Sequence, residues 1–288
     1  MNLRVLMVAA CPFPVLQGSQ ALISDTVRAL QRISVSPTLL TYGYGSVDLD
    51  ETRVVRAARV WGMRKTKAGP SCLKPVADVM LRVALQRLIR SESFDVIHAH
   101  NYEGLWVALQ AQSVLPIVYH AHNAMADELP YFLPMKKFSR TLGRWLDNTL
   151  PARADHIIAL HQPLADYLVD KGCKKDRITV IPPPCDTEAF AQGPDIHPSS
   201  STPFVLYAGN LDTYQNLDLL RRAMARVKTI LPEARLHIAT SDRADVPWAD
   251  HVCRITNFAA LREILAQDCI VVCPRVSWSG YPIKIVNA

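Results

Sequence analysis

Short apolar runs with no helical period alternate along this chain with longer stretches whose apolar residues recur every three or four positions. Residues 3–10 form the first such run, the mark of a strand covered on both faces. The loop after it holds Pro12, Pro14 and Gly18 and cannot be helical through its prolines. Ser19 is then a fair N-cap for a helix that lines up Ile23, Val27 and Leu30 on one face. A second strand is predicted over 35–42, and a helix over 76–90 with a polar stripe of Asp78, Gln86 and Arg90. Further strands are predicted over 94–98, 116–120, 154–160 and 177–181, and helices over 102–111, 138–150 and 163–170. This alternation argues for a parallel sheet with helices on both faces.

Residues 191–203, with Gly193, Pro194, Pro198, Pro203 and three serines, have linker composition. A second series follows: strand 204–208, helix 217–230, strand 234–239, a short strand 252–255, helix 259–266 and strand 269–273. Beyond Gly280 a helical turn begins, pairing Ile283 with Asn287 and Lys284 with Ala288 at a spacing of four. The expected fold class is therefore α/β. A Rossmann-like domain spans 1–190, a linker 191–203, and a second Rossmann-like domain, read as incomplete, 204–288.

Composition narrows the class. The chain of 288 residues is 49% hydrophobic and 20% charged, which is globular rather than disordered or fibrous. Its net charge is +6, but residues 53–90 hold ten basic residues against Asp78 alone, a local +9, so the remainder carries −3. An anionic surface or ligand beside one patch fits this asymmetry. Nucleic acid is not the expected partner, because no zinc-finger, helix-turn-helix or RNA-binding aromatic motif accompanies the patch. Seven scattered cysteines lack metal-ligand spacing and suit a reducing, cytoplasmic setting. The first apolar run carries Arg4 and is too short for a signal peptide, and nothing approaches a membrane span.

Several constellations carry candidate chemistry. His98-Ala99-His100 and His120-Ala121-His122 put two imidazoles on the same side of each strand, at the carboxyl ends where open α/β sheets bind ligands. Packed, hydrogen-bonded His98 and His120, with His100 and His122 facing a polar crevice, is one reading of them. A metal site is another, and it is not expected, since no carboxylate or cysteine completes a ligand set by spacing. His122 is the preferred contact for a substrate hydroxyl. Gly209, Asn210 and Gln215 lie in a polar strand-to-helix loop whose amides can meet an anion. Arg275 and Lys284 flank a second such loop, holding Ser279 and Gly280, and can neutralise phosphate charge. Lys137, Arg140 and Arg144 form a basic stripe opposite Phe138, Leu142 and Trp145, suited to an anionic membrane surface.

These pieces together resemble glycosyltransferase family 4, of the GT-B fold. The resemblance rests in the amino half on Pro12-x-Pro14 with Gly18, on 94–100, on His122-Asn123, and on Ile178-Thr179-Val180-Ile181-Pro182 with Asp186. In the carboxyl half it rests on 206–212 with 217–220, on Cys273-Pro274-Arg275, and on 277–288. It implies two Rossmann-like domains with parallel sheets facing a cleft. A nucleotide-diphosphate sugar is the co-substrate, held by the carboxyl domain, and a glycan or lipid-linked acceptor sits on the amino domain. Transfer retains stereochemistry, with no cofactor and no catalytic metal. His122 becomes a catalytic sugar contact, and Gly18 a backbone position near the donor phosphates or the acceptor. Donor binding falls to Gly18, Gly209, Asn210, Gln215, Arg275, Ser279, Gly280, Lys284 and Asn287.

The chain departs from the family where Asn210 and Gln215 replace a common Arg and Lys, and where Ser279 and Asn287 replace two glutamates. Lys284 then supplies the missing phosphate charge. The implied setting is polysaccharide or glycolipid assembly at the cytoplasmic face of the membrane. Two other readings stand beside it: a truncated or non-catalytic protein that binds a nucleotide or partner without turnover, and a sugar-nucleotide isomerase, which wants carboxylates in its cleft.

Overall fold

The computed structural model describes residues 3–13, 18–45, 52–63, 71–185, 203–243, 245–255 and 258–286. The first strand, β1 (Arg4–Ala9), is the apolar run expected at the start of the chain, and Leu6, Met7 and Val8 are fully buried. Its alternation sets up both layers of the domain. Leu6 and Val8 pack on one side with Leu81 and Leu85 of α2 (Lys74–Ser91) and Leu105 and Val107 of α3 (Asn101–Gln110). Val5, Met7 and Ala9 pack on the other with Ile23 and Val27 of α1 (Gly18–Arg32). A strand with period two and helices on both faces give this arrangement directly.

Seven strands make one parallel sheet in the order β3-β2-β1-β4-β5-β6-β7. The others are β2 (Ser36–Thr41), β3 (Arg53–Arg56), β4 (Val96–His100), β5 (Ile117–Ala121), β6 (His156–Ala159) and β7 (Ile178–Val180). The helices α4 (Met125–Phe132), α5 (Lys136–Thr149) and α6 (Gln162–Asp170) complete this part. A second parallel sheet has the order β10-β9-β8-β11, from β8 (Phe204–Ala208), β9 (Leu236–Thr240), β10 (His251–Arg254) and β11 (Cys269–Val271). Its helices are α7 (Leu217–Ile230), α8 (Phe258–Leu265) and the single turn α9 (Ile283–Val286). The α/β class and the paired parallel sheets are as expected.

By contact, one compact unit takes in the chain up to Pro184, apart from Leu16–Gly18, together with Trp278–Tyr281, and the other takes in Leu16–Gly18, Cys185–Ser277 and the residues from Pro282 onward. Of the expected linker, 191–202 lies outside the described residues.

Two elements escape the pattern. The edge strand β3 is only partly buried and has an arginine at each end, so the alternation that marks a strand is missing. Helix α4 has Pro130 inside it and no fully buried residue. The polar stripe expected on α2 also behaves differently. Asp78 is buried and accepts a hydrogen bond from the Tyr42 hydroxyl, and burial pushes its carboxyl up to about 6. The basic window is partly neutralised by acids just beyond it, Arg53 by Glu92 and Lys74 by Glu103.

Helices α4 and α5 approach very closely because Gly143 faces the other backbone. A Cβ there would lie 2.5 Å from the Ala126 Cα. The same face of α5 carries Asp147, fully buried, whose carboxylate accepts from the hydroxyls of Tyr102 and Tyr167 and the amides of Met125 and Ala126. The two amides are free donors of the first turn of α4, so the carboxylate also meets the positive end of that helix. Removing the acceptor from one buried and three partly buried donors costs about 4 kcal/mol. Asp147→Ala is expected to lower the thermal midpoint of this unit by about 10 °C, and Asp147→Asn by about half that. Calorimetry showing both variants melting with the native protein would remove Asp147 from this role.

Candidate functional site

In open parallel sheets, ligands bind beyond the carboxyl ends of the strands where the order reverses, here between β1 and β4 and between β8 and β11. At the first of these, Ala9 pairs with His100, and His100 pairs in turn with His120 across β5. The imidazoles of His98, His100, His120 and His122 form one stack, with ring centroids 4.4 to 5.4 Å apart. His98 Nε2 lies 3.2 Å from His120 Nδ1, and His100 Nδ1 lies 3.2 Å from His122 Nε2. All four are buried, and His100 completely. Among the described residues His100 does not open onto a crevice: its ring is packed against those of His98, His120 and His122.

Burial holds every one of these rings in its neutral form. It pulls His98 down to about 4 and His122 to about 3, and places His100 and His120 well below the usual histidine range. A neutral imidazole offers one N–H donor and one lone pair. Two mutual hydrogen bonds leave His100 Nε2, His120 Nε2 and His122 Nδ1 buried without a partner, at about 1–3 kcal/mol each. His98, His100 and His120 each present a nitrogen within 4.8 Å of the others, as a metal site requires. A ring that holds a proton so weakly as His122 cannot serve as a general acid at neutral pH, and what its chemistry allows is a neutral hydrogen bond.

At the second reversal, β8 and β11 lie side by side. The loop after β8 runs from Gly209 to Asn216, and the chain after β11 reaches Arg275 and then α9. Lys284, largely buried in this unit, donates to Gln215 Oε1 at 3.1 Å, and its ammonium sits 4.0 Å over the Tyr207 ring. Because a lysine only donates, the order of the contacts is fixed. Gln215 Nε2 donates to Asn210 Oδ1 at 2.8 Å, and Asn210 Nδ2 donates to Asp212 at 2.9 Å and to the Tyr214 hydroxyl at 2.8 Å. Asn210 and Gln215 thus spend their amides inside the loop. In this arrangement the two amides orient Lys284.

Burial lowers the Lys284 ammonium to about 8, and repulsion from Arg275 adds to that. Arg275 stacks 5.2 Å over Tyr214, bonds Ser277 Oγ at 3.0 Å, and keeps a buried Nε with no partner. Neither cation is paired with a carboxylate among the described residues. Gly209 is required at its place. Its φ is +146°, and a Cβ there would stand 2.8 Å from Lys284 Nζ.

Ser279 and Gly280 belong to the segment that packs on the first unit. Ser279 is fully buried, and its hydroxyl and amide donate to Asp127 at 2.7 and 3.1 Å. His161 caps α6 by accepting the Leu164 amide on Nδ1, which leaves its proton on Nε2 to donate to the Ser279 carbonyl at 3.0 Å. Trp278 stands edge-on to Tyr167. Ser279 is therefore a docking residue with no group left for a ligand, contrary to expectation, and half-buried Gly280 lies beside it. Gly18 opens α1 in an exposed position. Asn287 lies outside the described residues. Asp127, Asp147 and His161 were not found from the sequence. The signal available was an acid in the last turn of a predicted helix, where the dipole disfavours it unless donors lie nearby.

On α5 the buried face is Ser139, Gly143 and Asp147. Phe138 and Trp145, read as lying opposite the basic stripe, are 59% and 60% exposed, and Lys137, Arg140 and Arg144 are exposed around them. Among the described residues no helix is long and apolar enough to cross a membrane.

Comparison with known proteins agrees with this architecture. Over 158 residues the chain is 28% identical to the D-inositol 3-phosphate glycosyltransferase of Stackebrandtia nassauensis, an alignment covering 49% of this chain and 34% of that protein. The chain thus spans about a third of the length of that curated relative. Sucrose-phosphate synthase from Thermosynechococcus elongatus superposes with a TM-score of 0.71 at 15% identity, over 98% of this chain and 78% of the other. The Anabaena HepE protein, solved with UDP and glucose, does so with a TM-score of 0.66 at 16% identity, over 99% and 77%. Residues 16–189 match the model of Glycosyltransferase Family 4. That match takes in more than half of the chain, and the chain belongs to this family.

Proposed function

We propose that this protein transfers a sugar from a nucleotide-diphosphate donor to a glycan or lipid-linked acceptor, and that Lys284 and Arg275 hold the donor's diphosphate. The observation that carries this reading is a half-buried ammonium beside a half-buried guanidinium, with no carboxylate ion-paired to either among the described residues. Two such groups repel each other and are desolvated, so the unliganded site is electrostatically unsatisfied until an anion arrives. A diphosphate matches it in charge and acceptor number. The known relatives support the donor class: HepE was solved with UDP and glucose, and the curated relative is named as a glycosyltransferase.

In the reaction, the bond between the anomeric carbon and the diphosphate oxygen breaks, and its electron pair stays on the leaving diphosphate. The acceptor hydroxyl oxygen bonds to that carbon and loses its proton. Positive groups fixed at the leaving oxygen lower the barrier, because negative charge grows there in the transition state. Lys284, aimed by the Gln215–Asn210–Asp212 chain, needs no reorganisation to do this. His122, held neutral, hydrogen-bonds a sugar hydroxyl. Retention of configuration is carried over from the family resemblance.

Location at an anionic membrane face is part of the same reading. It rests on α5, whose exposed Phe138 and Trp145 stand among Lys137, Arg140 and Arg144. Aromatic side chains enter the interface while the cations meet lipid phosphates.

Lys284→Met is expected to lower kcat/KM for the donor about 100-fold, roughly 2.7 kcal/mol, with Lys284→Arg recovering part of it. The pH dependence has a definite sign. The folded pKa of Lys284 is depressed to about 8, so in the free protein the cation is lost as pH rises through 8. Donor affinity should therefore fall above pH 8. Calorimetry at pH 8.5 in buffers of different ionisation enthalpy should show proton uptake on binding. Flat donor affinity between pH 7 and 9.5 would argue against Lys284, whereas tight donor binding with neither transfer nor donor hydrolysis would argue against catalysis. For the membrane part, Phe138→Ser with Trp145→Ser should cut co-sedimentation with vesicles containing phosphatidylglycerol at least tenfold. Unchanged partition would remove α5 from that role.

A further inference from the structure

We propose that His98, His100 and His120 bind a divalent transition-metal ion of the zinc type at the carboxyl ends of β4 and β5, as three ligands that leave a fourth position open. This departs from the absence of metal expected from sequence. That expectation came from looking for a carboxylate or cysteine at ligand spacing, whereas these ligands converge across two strands. The register aligns His100 with His120, and the i, i+2 spacing brings His98 onto the same side. One nitrogen of each lies within 4.8 Å of the others.

Three features favour an ion over a packed imidazole stack. Nitrogens bound at about 2.0 Å around a tetrahedral ion sit roughly 3.3 Å apart, and His98 Nε2 and His120 Nδ1 are already 3.2 Å apart. His100 is fully buried, and its Nε2 has no partner, while its Nδ1 is engaged by His122. Among the described residues no carboxylate acts on any of the four rings, and an all-imidazole donor set suits zinc, nickel, cobalt and copper rather than magnesium or calcium. The ion replaces the single His98–His120 hydrogen bond by two metal–nitrogen bonds and takes up the free nitrogen of His100.

The centre would also act at one remove on His122. With the metal on Nε2, the His100 proton is confined to Nδ1, which donates to His122 Nε2. The proton of His122 then lies on Nδ1, so this ring faces its surroundings as a donor. His122 is in this respect positioned by the centre, and it is not a ligand.

The test uses the untagged full chain, stripped with a chelator and dialysed. Titration with Co2+ should give visible d–d bands saturating at one ion per chain, and Zn2+ should displace it. Zinc-edge absorption spectroscopy on the native protein should show an imidazole-dominated shell at about 2.0 Å. His100→Asn and His120→Asn should each weaken Co2+ binding at least tenfold. His237→Ala with His251→Ala, which removes the neighbouring histidine pair on β9 and β10, should leave it unchanged. Failure of the native protein to bind Co2+ or Zn2+ stoichiometrically would overturn the proposal. So would bands that survive both asparagine variants, or that vanish with the β9–β10 pair. If the variants do not fold, the native spectra decide alone.

Discussion

One buried carboxylate governs the geometry of much of the first unit. Asp147 ties α5 to α3 through Tyr102, to α6 through Tyr167, and to the opening amides of α4. The residues just before those amides are His122, Asn123 and Ala124, so the way the chain leaves β5 is set by where Asp147 holds α4. One turn along, Asp127 receives the Ser279 hydroxyl and amide. An ion-dipole contact inside a helix pair thus fixes both a candidate substrate-contacting histidine and the docking place of a late segment. The close approach permitted by Gly143 makes this contact possible. A side chain there would separate α4 from α5 and draw the amides away from the carboxylate.

The two units treat charge differently. In the first, desolvated ionic groups are matched: Lys74 with Glu103, Asp78 with the Tyr42 hydroxyl, Asp147 with four donors. Matched charge serves the fold. In the second, Lys284 and Arg275 stand near each other as two like charges, held by an amide, a hydroxyl and two phenol rings and, among the described residues, ion-paired to no carboxylate. Nothing about packing a core calls for that arrangement, and a ligand carrying negative charge does.

The fold was largely legible because a doubly wound sheet writes itself as apolar runs separated by amphipathic helices. The strands buried on both faces, β1, β2, β4, β5 and β8, were placed to within two residues or so at each end. The edge strand β3 and the proline-bearing α4 were missed because neither has a buried face to impose a period. For the site, a motif shows which loop a residue occupies but not what its side chain is already bonded to. Lys284 was read as flanking the loop that holds Ser279 and Gly280, and nothing in that spacing shows its contact with Gln215 in the loop after β8. Asn210, Gln215 and Ser279 were read as ligand contacts, yet their hydrogen-bonding capacity is used within the protein. His100 was read as facing a crevice, but its ring is buried against three other imidazoles, which strand spacing alone does not reveal.

Lys284 has a consequence beyond binding. An ammonium that gives up its proton near pH 8 carries an appreciable fraction of free amine at neutral pH. A free amine is a nucleophile toward aldehydes and activated acyl or sulfonyl groups. Enclosure by Tyr207, Gln215 and the Gly209 backbone keeps small bulk reagents from reaching it easily. The residue therefore combines high intrinsic reactivity with restricted access, which suits it to selective covalent capture by a reagent built on an anionic scaffold that the site itself recruits.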